Sequence, residues 1–211
     1  MTTTSMDFIE YDKTLHYDMV YNLAVKNNFH IDDIYANLND FKCPPSFYKK
    51  FNTIYKNKNE RNEMMRRLNA ITQEKQDEWE VNGFLLMNDM KIIGFLFYNI
   101  CKNNPVECEL TFLLIDKDYK KNGYGSLAIN YFFEKIKEFE LIVRVKTEIN
   151  EITWYKKFGF LEKKDVPFND QIDGLVETKD DFHVLYYMTK KFLMFIRLLN
   201  NIINTQQNMI T

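Results

Sequence analysis

Two glycines stand one residue apart in Lys120-Lys121-Asn122-Gly123-Tyr124-Gly125, in a chain of 211 residues with only six glycines. Such a pair marks a place where backbone turns sharply or approaches something closely. If a helix begins there, its first N–H groups have no carbonyl inside the helix, and its dipole favours an anion. Lys120 and Lys121 add positive charge. The chemistry on offer is a pyrophosphate cradle made of the backbone N–H groups that converge at that helix start. No Gly-Lys-Ser/Thr follows, so this is not a Walker A loop, and the third glycine of a dinucleotide fingerprint is missing. Alone, the pair reads equally well as a plain turn.

The elements around the pair decide between those readings. Residues 7–11 suit a short strand, and Leu15 to Val25 a helix with apolar positions at Leu15, Met19, Val20, Leu23 and Ala24. A second short helix is expected around Asp32 to Asn39. Pro44-Pro45 suits a helix start, and a polar, helix-prone region runs on to about Glu78. Residues 79–88 and 91–101 read as a strand pair with its turn at Asn88-Asp89, and 106–115 as a third strand in an antiparallel meander. Ser126 to Phe139 carries a broad apolar helix face, and Leu141 to Thr147 is again a strand. Strand, helix, strand implies a right-handed crossover and local parallel pairing. A short helix over Ile152 to Lys157 ends at Gly159. Strands at 160–163 and 184–189 then flank a long loop. From Lys191 the tail places Phe192, Phe195, Ile196, Leu199, Ile202 and Ile203 on one helical face.

Bulk properties exclude several classes. With 28 basic and 30 acidic residues the net charge is −2, against a dedicated nucleic-acid coat, and 45% apolar residues argue against wholesale disorder. Cys43, Cys101 and Cys108 form no CxxC pair, so no zinc cluster or redox motif is visible. His16, His30 and His183 are far apart, and no metal is expected. The start, MTTTSMDFIEYDK, lacks the basic and apolar regions of a signal peptide. The apolar stretch Phe192 to Leu199 falls far short of the ~20 residues that span a bilayer. The expectation is a cytoplasmic protein with neither membrane nor nucleic acid as partner.

The strand, the glycine pair, the helix, the next strand and Trp154-Tyr155-Lys156-Lys157-Phe158-Gly159-Phe160 follow in an order that resembles the GCN5-related N-acetyltransferase (GNAT) family. The resemblance is best over 79–190. Lys120 stands where that family's Arg/Gln-x-x-Gly-x-Gly/Ala motif has Arg or Gln, a departure that keeps charge but not shape. The resemblance implies an α/β (α+β) fold: a mixed, mostly antiparallel sheet of six to seven strands flanked by helices. It would form one domain over 1–190, with a helical, acceptor-side region at 30–78 and an amphipathic extension at 191–211. Acetyl-CoA is the implied cosubstrate, bound by Lys120, Lys121, Asn122, Gly123, Tyr124, Gly125 and Ser126. Its pantetheine arm would pair with backbone of Leu113, Leu114 and Ile115, which requires this strand and the next to splay apart.

Catalytic roles are implied in the same way. Glu109 lies at the distance of the family's catalytic glutamate from the glycine motif, and Glu107, on the same strand face, is the backup base. Tyr155 would protonate the departing thiolate, and the Leu113 N–H would hold the oxyanion. The family's Asn, seven residues before this Tyr, is replaced by Glu148; Asn150 is the nearest candidate. Cys108 points to the other face and reads as a core thiol. The plain readings stay open: Glu109 as a solvent-facing strand residue, Tyr155 as helix packing. The implied function is acetyl transfer to a primary amine, either a polyamine- or aminoglycoside-like molecule or a protein Lys or N-terminus; the alternative is a silent CoA- or partner-binding protein. Residues 162–181 carry seven acids against three Lys, which would favour a cationic acceptor, and 42–75 carry nine basic residues against three acids. The tail face packs on its own domain or on a second subunit; the latter, a homodimer contact, is the favoured expectation.

Overall fold

The computed structural model describes residues 6–28, 56–64, 66, 79–101, 107–167 and 183–198. The helix expected at Asp32 to Asn39, most of the polar region to Glu78, most of the acidic loop and the tail beyond 198 lie outside these residues. The described chain forms two compact units. Residues up to 101 together with 111–128 form the first, and 107–110 with 129 onward form the second.

In the first unit, β1 (Met6–Glu10) leads into α1 (Lys13–Lys26). Asp12 starts this helix by accepting hydrogen bonds from Thr14 N at 2.7 Å and Leu15 N at 3.0 Å. Its buried face, Tyr17, Val20, Tyr21, Leu23 and Ala24, has helical spacing and packs on Leu85, Phe95, Phe97 and Leu114. Burying each such large apolar side chain contributes about 1.5–3 kcal/mol. β2 (Trp79–Asn88) pairs antiparallel with β1 and with β3 (Lys91–Cys101). The turn falls on Asp89-Met90, one residue later than expected, because Asn88 already pairs with Lys91. Both turn residues have positive φ, 48° and 60°, the twist a two-residue hairpin needs. Gly94 sits beside a register shift at Leu86/Met87. A Cβ on it would come within 2.5 Å of the Leu114 carbonyl oxygen, so this strand interior requires glycine.

β4 (Glu107–Ile115) is continuous through both units. In the second unit its first half pairs parallel with β5 (Ile142–Thr147), as the crossover required. α2 (Tyr124–Ile136) begins and ends earlier than the expected 126–139. α3 (Ile152–Lys156) is followed by β6 (Leu161–Glu162), which pairs antiparallel with β7 (His183–Met188); β5 pairs with the other side of β7. β6 is shorter than expected because the chain turns into a 3-10 helix at Lys163–Asp165. The strand order is β1-β2-β3-β4-β5-β7-β6, a seven-stranded, mostly antiparallel sheet. Residues 190–198 are helical, and Thr189 Oγ1 accepts the Phe192 N–H at 3.3 Å. Phe192, Leu193 and Ile196 pack on Ile142, Val184, Tyr186 and Met188, so this part of the tail covers its own unit. No described helix is long and apolar enough to cross a membrane.

Candidate active site

In the first unit, β4 runs out at Ile115 into a tightly held loop. Asp116 N donates to Ile93 O at 2.7 Å, and the Asp116 side chain caps the 3-10 helix Lys117–Tyr119. Lys121 follows in the left-handed region at φ 67°, and Gly123 at 83°. Left-handed backbone costs a non-glycine residue about 1–2 kcal/mol, so Lys121 is held there by the surrounding loop. α2 starts immediately, and its first helical bond runs from Leu127 N to Gly123 O at 3.1 Å. The N–H groups of Tyr124, Gly125 and Ser126 therefore have no carbonyl within the helix, and glycine at the cap position supplies no side chain for them. A Cβ built on Gly123 meets nothing within 4 Å. Lys120, Lys121 and Asn122 are exposed beside it. Free amides, a helix N-terminus, open space and two cations together fit a diphosphate. Of the two glycines, Gly123 has the positive φ; Gly125 lies within the first turn of α2.

The second unit holds the candidate acid and base. Glu109 sits opposite Arg144 in the β4–β5 register. Its side chain is 14% exposed and lies 3.6 Å from both Arg144 Nη2 and Lys146 Nζ. The carboxylate is thus largely enclosed and faces two cations, unlike a simple solvent-facing strand residue. Glu107 occupies the same strand face two residues earlier, opposite Ile142. Cys108 is fully buried, and burial pushes its thiol well above the usual range, which suits a core thiol rather than a nucleophile.

The β4–β5 ladder ends at Leu110↔Val145 among the described residues. Leu113, Leu114 and Ile115 therefore lie beyond its last rung, where backbone pairing with a ligand was expected.

Tyr155 lies on α3, 7% exposed. Its ring packs edge-on against Trp154 at 4.9 Å and Phe160 at 5.4 Å. Burial, and then the Glu151 charge, push its phenol well above the ordinary value, so it is protonated at neutral pH. Gly159, at φ 88°, ends this segment and lets the chain return to β6. Glu148 and Asn150 lie exposed in the turn before α3.

Four residues of functional interest have no local signal in the sequence. Lys26 and Asp116 are 90 positions apart yet form a bidentate pair. Arg144 and Lys146 meet Glu109 through a register that only the paired strands reveal.

The family model described as the acetyltransferase (GNAT) family matches residues 45–160, more than half of the chain. No curated protein matches. Among solved structures, an acetyltransferase from Thermus thermophilus is 14% identical, with TM-score 0.51, covering 89% of this chain and 99% of that one. Tetrahymena GCN5 is 15% identical, with TM-score 0.50, covering 88% and 97%. At such identities the likeness speaks for the fold alone. With the family model over more than half its length and a seven-stranded mixed sheet of the expected kind, the chain belongs to the acetyltransferase (GNAT) family and is an N-acetyltransferase.

Proposed function

We propose that the chain transfers an acetyl group from acetyl-CoA to a primary amine by direct attack, with both substrates bound. The observation that carries the reading is the loop at Lys120–Ser126: an open left-handed glycine, three helix-start amides and two lysines in sequence. In the proposal these amides hold the diphosphate, and backbone of Leu113, Leu114 and Ile115 pairs with the pantetheine arm. Glu109 takes a proton from the incoming ammonium, directly or through water. The amine nitrogen then bonds to the acetyl carbon while the Leu113 N–H stabilises the oxyanion. The C–S bond breaks, Tyr155 gives its proton to the thiolate, and the extra proton left on the acylated nitrogen returns to the Tyr155 phenolate, directly or through water. Asn150 is assigned to the cosubstrate by resemblance alone.

The acidic stretch 162–181 supports a cationic acceptor, such as a polyamine, an aminoglycoside-like molecule or a Lys-rich peptide. Of its acids, Glu162 is itself engaged by Lys156 and by Lys164 at 3.0 Å, so the remaining acids would carry the attraction. The test is a panel of such amines incubated with full-length protein and acetyl-CoA, following release of free thiol. Turnover with at least one cationic amine is expected. Absence of thiol release with every amine, together with no thermal stabilisation by acetyl-CoA, would overturn the reading.

A further inference from the structure

Lys26, the last residue of α1, reaches the loop that leads to Gly123. Its Nζ lies 2.9 and 2.6 Å from the two carboxylate oxygens of Asp116, and 2.6 Å from Asp118 Oδ2. Asn27 makes the neighbouring contact. Its Oδ1 accepts the Lys117 N–H at 2.8 Å, while its own amide donates to Leu23 O at 2.8 Å. The end of α1 thus grips the backbone and side chains of residues 116–118. Both partners are firmly based. α1 is fixed by Tyr17, Val20, Tyr21 and Ala24 in the core. Asp116 is 1% exposed; its N–H is bonded to Ile93 O at 2.7 Å, and its carboxylate also accepts from Asp118 N at 3.3 Å.

The hold continues down the loop. Tyr119 N donates to Asp116 O at 2.7 Å, Asn122 Nδ2 donates to Tyr119 O at 3.3 Å, and Lys91 lies over the Tyr119 ring at 5.1 Å. Each link fixes the residue from which the next hangs, and the last holds Asn122, which stands between Lys121 and Gly123, whose left-handed backbone sets the direction of the amides that follow. An exposed ion pair would carry little of this. The Asp116 carboxylate is buried, however, and removing its counter-charge leaves it without the partner that burial requires.

We propose that Lys26 and Asn27 are positioning residues for the diphosphate-binding loop, holding residues 116–119 in the conformation that presents the amides of 121–126 to acetyl-CoA. The inference rests on the acetyl-CoA reading above. It predicts a split that general damage would not produce. The Lys26→Met variant should bind acetyl-CoA more weakly, about tenfold if only a tenth of the molecules keep the competent loop. Turnover at saturating acetyl-CoA and KM for the amine should stay at wild-type values, because neither depends on the loop once it is occupied.

The experiment is calorimetric titration of full-length protein with acetyl-CoA, with steady-state kinetics on the same samples. Lys26→Arg keeps the charge and should recover affinity to within about twofold of wild type. Lys26→Met combined with Asp116→Asn and Asp118→Asn should bind no more weakly than the two Asp changes alone, since Lys26 acts through those two carboxylates. If Lys26→Met fails to fold, Asn27→Ala carries the same prediction in the same direction. A folded Lys26→Met or Asn27→Ala that binds acetyl-CoA as wild type does would overturn the inference, as would a loss confined to kcat or to amine KM. Wild-type protein that does not bind acetyl-CoA would instead sink the functional reading beneath it.

Discussion

Replacing Gly123 separates the conformational reason for a glycine from the ligand-binding one. Its φ of 83° lies in the left-handed region, and a Cβ placed on it meets no neighbouring heavy atom within 4 Å. The fold therefore loses only backbone energy in Gly123→Ala, about 1–2 kcal/mol. For a chain of this size that lowers Tm by roughly 2–8 °C. Asparagine tolerates left-handed backbone better than alanine, so Gly123→Asn should melt closer to wild type. Affinity should not follow that order. In the proposed complex the open side of Gly123 is where the diphosphate approaches, and either side chain stands in its way. Loss of one hydrogen bond to a charged group is worth about 1.5–3 kcal/mol. That corresponds to roughly 10- to 150-fold in Kd. Thermal melts and calorimetric titration with acetyl-CoA on the same variants read both quantities. A Gly123→Asn protein that binds acetyl-CoA as tightly as wild type would refute the reasoning, because the glycine would then serve the turn alone.

Three further outcomes follow from the second unit. Glu109→Gln keeps the shape of the side chain facing Arg144 and Lys146 but removes its basicity; kcat should fall about 10²- to 10⁴-fold, and an unchanged kcat would remove Glu109 from the base role. Tyr155→Phe preserves ring packing on Trp154 and Phe160, so Tm should change little while kcat falls; because burial pushes the phenol upward, the wild-type rate should show no alkaline loss from Tyr155 at or below its ordinary value of 10. Wild-type turnover in that variant would return Tyr155 to a packing role. Lys156 first, and then Lys164, pull the Glu162 carboxyl from the ordinary 4.5 down to about 2. A folded-state value below the unfolded one means that this stabilisation is complete above 4.5 and is lost as pH falls through about 2. The Tm gap between wild type and Glu162→Gln should therefore close near that pH, and a gap independent of pH would contradict the pairing.

Local patterns in the sequence carried the strands and the glycine loop, while contacts between distant segments did not show there. Residues 79–88 and 91–101 were legible because apolar runs meet at a turn, yet the turn itself moved to Asp89-Met90. Met90 in a left-handed conformation is dictated by the twist of the hairpin, not by the preference of methionine. The same holds at Lys121, where lysine is no marker of positive φ. The parallel pairing of β4 with β5 followed from strand–helix–strand order, but its register did not. Without that register, Arg144 and Lys146 could not be placed opposite Glu109. Lys26 and Asp116 illustrate the limit most clearly: an ordinary helix-end lysine and a loop aspartate become a pair only when the fold closes 90 positions of chain between them.

Direct transfer to nitrogen is the central claim, and a single-turnover reaction with acetyl-CoA labelled in its acetyl group tests it most directly. The full-length protein is mixed with labelled acetyl-CoA and a cationic amine, quenched at early times, and both protein and amine are weighed by mass spectrometry. The account predicts label on the amine nitrogen and none on the protein at any time, since no covalent enzyme intermediate is required. Label appearing first on a protein side chain, or never reaching an amine, would contradict it.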